Sequence, residues 1–315
     1  MATSFDHLID AGFTGSTATQ LAEANPAALR GVSAGDADKL AAAFGISRVD
    51  QLAGNRYFHA AAAITAAATG RPGHDPGPPP EWEDRFLAAP LAAYEARPDL
   101  FRIDFGPVYY RGRLDGTARL LVVGQDPSVN ELLAHRNFVG QSGQRLQGFF
   151  AKLGITRSYL MLNTFLFSIF GQFGGDNAAM SAHGPVLDYR NVLFDVAAGS
   201  NPLHAIVTVG SGARDAVDRW PGAAGVPRVH ILHPAFPNVT SLLTDWNGAL
   251  ASLGVLVDPD DDGTVGVPYG AAFVPGDIAG IPRRDLPFGL PAWHGMGDHA
   301  VRSGDDVIEW HSSTV

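Results

Sequence analysis

The chain of 315 residues contains no cysteine, which excludes disulfides, a thiolate zinc site and a cysteine-held iron–sulfur cluster. Nor does any stretch reach the ~18 consecutive apolar residues of a membrane span, so no membrane role is expected. Asp6, Asp10 and Glu23 fall in the first thirty residues, where no apolar core run stands; this is unlike a secretory signal and points to a cytoplasmic location. Positive charge is scarce, with 22 Lys and Arg against 32 Asp and Glu and a net charge of -10. The deficit is local. From Val255 onward ten acids face only Arg283, Arg284 and Arg302, a balance of -7, so the preceding residues carry only -3. The net charge argues at first sight against DNA, whose binding is dominated by phosphate neutralisation, but a protein that grips a few phosphates through backbone N–H groups and helix N-termini does not need a basic domain.

What the chain does have is apolar sequence, 46% hydrophobic, enough for a full α/β core and one smaller module. Four hydrophobic runs each end in a small polar cluster. They are Arg119 to Val123 before Gly124-Gln125-Asp126-Pro127-Ser128, Tyr159 to Leu162 before Asn163, Ala205 to Val209 before Gly210-Ser211-Gly212, and Val229 to Leu232 before His233-Pro234. Short apolar runs spaced by helical stretches predict a buried parallel sheet, and helices are expected at 129–135, 142–153, 188–198, 212–219 and 238–253. The expected fold class is α/β, a three-layer α/β/α arrangement with a central four-stranded, mainly parallel sheet, plus an N-terminal helical module. There are no internal repeats.

The expected organisation is a helical module over 1–70, a Pro/Gly linker over 71–81, a catalytic domain over 82–257, and an irregular acidic C-terminal extension over 258–315 packed on the surface. Within the first module, Leu29 to Gly35, Ala37 to Ala41 and Phe44-Gly45-Ile46 loosely resemble a helix-hairpin-helix that holds DNA backbone. A plain helical bundle fits the same residues. Gly70 to Glu81 is too rich in Pro and Gly for helix or strand. Phe273, Phe288, Trp293 and Trp310 in the extension favour packing over disorder.

In a parallel sheet the ligand sits at the carboxyl ends of the strands, so the four polar clusters are candidate chemistry. Asp126, just before Pro127, reads either as a turn or cap aspartate or as a carboxylate that polarises a water and offsets charge on a sugar. His233 reads either as a satisfied strand-end histidine or as a neutral donor to an oxygen that gathers negative charge. Asn163 reads either as a loop cap or as a donor–acceptor pair for the edge of a pyrimidine. Four such clusters at four strand ends favour the chemical reading of each.

These segments, in this order, resemble the uracil-DNA glycosylase superfamily over residues 119–240. Gly124-Gln125-Asp126-Pro127 matches a water-activating motif, and Asn137-Phe138-Val139-Gly140-Gln141-Ser142-Gly143-Gln144-Arg145 resembles the Pro-Phe-Val-Gly segment of bacterial and archaeal families. Leu162-Asn163-Thr164, Gly210-Ser211 and His233-Pro234 match the base-reading strand end, the phosphate loop and the leaving-group segment. The resemblance implies that Asp126 positions the water and His233 stabilises the departing anion. It implies that Gln125, Phe138 and Asn163 bind the flipped base, with Phe138 stacking on it. It also implies that Gly210, Ser211, Pro234, Phe236 and Pro237 meet the DNA. Two departures stand out. Ser128 replaces a Tyr that excludes groups at pyrimidine C5, so Ser128 is expected to bind the base and admit 5-substituted uracils. The cysteines of the cluster-holding families are missing. No metal, cofactor or membrane partner is implied, and the protein is expected to act on DNA as a monomer. The alternative is a damaged-base or abasic-site binding protein of the same fold with little turnover.

Other chemistries fit less well. Gly210-Ser211-Gly212-Ala213-Arg214-Asp215 lacks the third glycine of a dinucleotide fingerprint. Gly140-Gln141-Ser142-Gly143-Gln144 misses the nucleophile-elbow spacing. His294, His299 and His311 with Asp298 show no spacing that fixes a metal.

Overall fold

The structure, a computed structural model, describes residues 9–58, 61, 74–103 and 106–287. The chain divides into two compact units, residues 1–71 and 72–315. In the first, α1 (Ala18–Glu23), α2 (Ala34–Phe44) and α3 (Val49–Ala53) follow in sequence. Thr17 with Gln20, and Ser33 with Asp36, form capping boxes that satisfy N–H groups of the first turns of α1 and α2. The residues read as a helix-hairpin-helix form the turn into α2, α2 itself and the approach to α3. Ile9, Leu21, Ala28, Ala37 and Ile46 are among its buried apolar residues.

The second unit opens with α4 (Pro80–Leu87) and α5 (Leu91–Glu95) and is built on five strands. These are β1 (Arg111–Gly112), β2 (Leu120–Gly124), β3 (Tyr159–Asn163), β4 (Ala205–Val209) and β5 (Arg228–Ile231), in the sheet order β1-β3-β2-β4-β5. Only β1 runs antiparallel, against β3. The four expected strands are thus joined by a fifth, too short to carry a periodic signal. Helices α6 (Val129–Ala134) and α7 (Gln141–Lys152) follow β2, and α8 (Gly175–Ala182) and α9 (Gly184–Ser200) follow β3. Then α10 (Ser211–Asp218) follows β4, and α11 (Val239–Leu253) follows β5.

Alternation along the strands divides the core into two faces. Leu120 and Val122 of β2, Tyr159 and Met161 of β3, and Val207 of β4 pack with Phe149 and Phe150 of α7 and Trp246 of α11. Leu121, Val123, Leu160, Leu162 and Ile206 point the other way, onto Phe194 of α9 and Val217 of α10. Because both faces are covered, the strands read as unbroken apolar runs instead of alternating ones.

One segment differs from expectation. Within the Pro/Gly stretch read as a linker, residues 74–79 are fastened to the second unit and Pro80 already starts α4. The cause is Asp75. Its buried carboxylate accepts hydrogen bonds from Arg136 Nε at 2.6 Å and the Tyr110 hydroxyl at 3.1 Å, while its N–H donates to the Leu286 carbonyl at 2.9 Å. Proline suits the first turn of α4, where no N–H partner exists in any case. The acidic extension, described to Pro287, is anchored by the acids themselves. Asp260 pairs with Arg119, Asp277 with Lys152, and Asp285 with Arg113 and the Tyr159 hydroxyl. All three carboxylates are buried. Phe288, Trp293, Trp310 and the tail residues His294, Asp298, His299 and His311 lie outside the described residues.

Burial raises the pKa of Asp260, but N–H groups of Arg157, Ser158 and Thr156 and the Arg119 guanidinium outweigh it and hold the carboxyl well below the usual carboxylate range. A depressed folded-state pKa adds stability above the unfolded value of about 4, lost as the pH falls through the folded one. Asp260→Ala should therefore destabilise the protein by about 3 kcal/mol at neutral pH, with the difference shrinking in acid. Urea unfolding at several pH values checks this, and an unchanged midpoint at neutral pH would mean that the anchor contributes nothing.

Candidate active site

The strand ends converge on one edge of the sheet. Gly124 ends β2 and lies in parallel register beside Asn163, which ends β3. A Cβ on Gly124 would collide with Asn163 Oδ1 and with the Phe138 ring, so a glycine is required for these groups to close over the strand end. Beyond the strands, Thr164 N–H donates to the Gly124 carbonyl and Phe165 N–H to that of Gln125, both at 2.9 Å. The turn after β2 is thereby tied to the segment after β3. Asn163, Phe138, Gln125 and Asp126 are brought together at this edge.

Asp126 is fixed through both oxygens. Oδ2 accepts the Ile169 N–H at 3.0 Å and Oδ1 accepts Gln125 Nε2 at 2.9 Å. Burial raises its pKa above the ordinary carboxylate value and the nearby Glu131 charge adds to this, against the lowering effect of the two hydrogen bonds. The result is a carboxylate whose affinity for a proton exceeds that of a solvated one. Gln125 also packs on Gly212 at the start of α10.

Phe138 is buried and adopts φ +54°, a left-handed conformation uncommon for a residue with a side chain. Its neighbours impose it. Val139 and Gly140 donate their N–H groups to Glu131 Oε1 at 2.8 and 2.9 Å, and Ser128 N–H donates to Oε2 of the same carboxylate at 3.1 Å. Glu131, itself buried, thus clasps the Asp126 turn to the Phe138 turn. From the far side α7 presses Gly143 onto the Phe138 carbonyl so closely that any Cβ there would collide. Glu131 was not singled out from the sequence. Its spacing from Ser128 is that of a capping box, but its second oxygen serves a tertiary contact that spacing does not reveal.

Ser128 joins this cluster only through its backbone N–H. It is exposed at the N-cap of α6, the helix-capping position that its spacing before Val129 equally suggested.

At the other half of the edge, Gly210 takes φ +83° and lies against His233 Cβ. Ser211 follows as the exposed first residue of α10. His233 Nδ1 accepts the Ala235 N–H at 3.1 Å, which leaves the ring proton on Nε2. Desolvation by the surrounding protein lowers the pKa of this imidazole, which favours the uncharged form, although the residue remains exposed to solvent. Arg145, also missed from the sequence, donates to the Pro234 carbonyl at 2.7 Å and holds this segment to α7. Pro234 is buried, whereas Phe236 and Pro237 project from the surface.

Among the described residues no group of three or more His, Asp or Glu is placed to hold a metal ion, and no helix is long and apolar enough to cross a membrane.

The collision at Gly143 generates a test. Gly143→Ala should shift Phe138, lowering stability by ~1–3 kcal/mol and impairing any function of the Phe138 ring. Thermal unfolding and a crystal structure of the variant check it; an unmoved Phe138 at full stability would show that the close approach is not needed.

Residues 112–246 match the family model described as the uracil DNA glycosylase superfamily. No curated protein matches the chain.

Proposed function

Since the chain belongs, through residues 112–246, to the uracil DNA glycosylase superfamily, a superfamily of DNA-acting glycosylase hydrolases, we propose that it is a monofunctional enzyme that removes uracil from DNA and leaves an abasic site. The observation that carries this reading is Asn163 Oδ1, buried without a hydrogen-bond partner beside the Phe138 ring. An orphaned buried acceptor costs ~1–3 kcal/mol, a cost relieved when a ligand brings a donor. The imide N3–H of a flipped uracil is such a donor, and Phe138 offers the aromatic face on which the base stacks.

The remaining groups suit hydrolysis. Water oxygen bonds to C1′ as the C1′–N1 bond breaks, and the electron pair leaves with the base as an anion spread over N1 and O2. Asp126 accepts the proton that the water loses and its charge offsets the cationic sugar. The neutral His233 donates from Nε2 to O2 of the anion, adding no positive charge that the free imidazole would have to lose. The Gly210 N–H is held by the Ile231 carbonyl, so the exposed Ser211 at the start of α10 would take a phosphate, with the exposed Phe236 and Pro237 meeting the duplex where the base has left and the buried Pro234 supporting them. No metal or cofactor enters these steps. A pure binder of damaged DNA would use neither the proton affinity of Asp126 nor the orientation of His233.

Asp126→Asn and His233→Ala should each lower single-turnover excision of uracil from an oligonucleotide by ~10² or more. Since the pKa of Asp126 is raised in the folded state, ionisation of this group lowers stability as the pH rises through the folded value. Asp126→Asn should therefore match or exceed the wild-type Tm at neutral pH. For the same reason the acid limb of the wild-type rate should fall at a pH above that of a solvated carboxylate. A variant that unfolds, or that cleaves at the wild-type rate, would show its residue to be structural.

We also propose that Ser128 leaves C5 of the base uncovered and that 5-hydroxymethyluracil is a substrate. Ser128→Tyr should then lose this substrate while retaining uracil, a change of ~10-fold or more in their ratio. Equal proportional losses would assign Ser128 to helix capping alone.

A further inference from the structure

Asn137 occupies the place before Phe138 where the related segments carry Pro, and it is fully buried. Its Nδ2 faces two backbone carbonyls, of Tyr109 at 3.4 Å and of Met161 at 3.3 Å. A carbonyl only accepts, so the amide of Asn137 has one satisfactory orientation, with both N–H bonds directed at backbone oxygen. Its own N–H donates to the Tyr110 carbonyl at 3.2 Å, which secures the main chain at the same point. Asn137 Oδ1 must then face Asn163, and it accepts a hydrogen bond from Asn163 Nδ2 at 3.0 Å. That bond in turn fixes the amide of Asn163. With Nδ2 turned to Asn137, Oδ1 is the atom left at the Gly124 and Phe138 side, where it has no partner.

We propose that Asn137 is a positioning residue that sets the base selectivity of the site, by holding the Asn163 amide so that an acceptor and not a donor meets the imide edge of the base. This rests on the reading of the site as a uracil pocket. Two backbone acceptors, on β3 and on the segment before β1, thereby dictate through two side-chain amides which hydrogen-bonding pattern is accepted. Uracil presents N3–H to Asn163 Oδ1 and is accepted. Cytosine presents a lone pair at N3 and is repelled. Were Asn163 free to turn over, its Nδ2 would suit cytosine and the discrimination would fall.

The test compares wild type, Asn137→Ala, Asn163→Ala and the double variant in single-turnover excision from single-stranded oligonucleotides carrying uracil or cytosine, with thermal unfolding of each. Asn137→Ala is expected to lower the uracil-to-cytosine rate ratio by ~10-fold or more. Because Asn137 acts through Asn163, adding Asn137→Ala to Asn163→Ala should change the ratio no further. An unaltered ratio in a folded Asn137→Ala protein, or an equal additional loss in the double variant, would overturn the relay while leaving the uracil reading intact. No uracil excision by the wild type would overturn both. Should Asn137→Ala fail to fold, the wild type itself decides. With selective 15N-asparagine labelling, one Asn163 Nδ2 proton should be protected from exchange with solvent by its hydrogen bond to Asn137 Oδ1. Two Nδ2 protons that both exchange as those of a solvated amide would overturn the proposal.

Discussion

The register of β2 against β3 is the constraint on which the site depends. It brings Gly124 level with Asn163, and the missing side chain of Gly124 leaves space that Asn163 and Phe138 fill from two directions. A shift of one residue would turn the side chain of Asn163 to the opposite face of the sheet. The buried hydrophobic faces on both sides make such a shift costly, so the packing of the core is also what fixes the hydrogen-bonding edge offered to a ligand. The Asp126 turn follows from the same register, since the carbonyls of Gly124 and Gln125 are held by the residues after Asn163.

Around this point buried charge is used to clasp loops. Glu131 holds three N–H groups from two turns, and Asp75 holds Arg136, the residue before Asn137. Asp260, Asp277 and Asp285 fasten the final described segment across the base of the sheet and the back of α7. The strong net negative charge therefore does not lie wholly on the surface, where it would repel DNA. Part of it is neutralised inside. The same residues explain how a segment with little regular structure stays packed.

Much of this was legible in the sequence because a buried parallel sheet has few ways to arrange its strand ends. The apolar runs identified β2 to β5, and their polar termini gave Asp126, Asn163, Gly210 and His233 before any geometry was known. What remained hidden depends on contacts between segments distant in sequence. Asn137 was not singled out, and only the carbonyls of Tyr109 and Met161 give its amide a direction. Asp75 lay in a Pro/Gly run that composition alone assigned to a linker, and while the aromatic residues of the extension favoured packing, its acids gave no sign that they anchor it. The two-residue β1 carries no period. Ser128 shows the reverse case, in which two sequence readings were both available and the observed N-cap position agrees with the less chemical one.

The central claim is that the strand-end cluster performs hydrolysis of the bond between base and sugar rather than recognition alone. It is tested most directly by mixing wild-type protein with a slight deficit of uracil-containing oligonucleotide and quantifying both products. Free uracil, measured by mass spectrometry, and alkali-labile strands, measured on a denaturing gel, should appear in equal amounts until the substrate is consumed, with no strand break before alkali. A stable protein–DNA complex that releases no uracil would contradict the account.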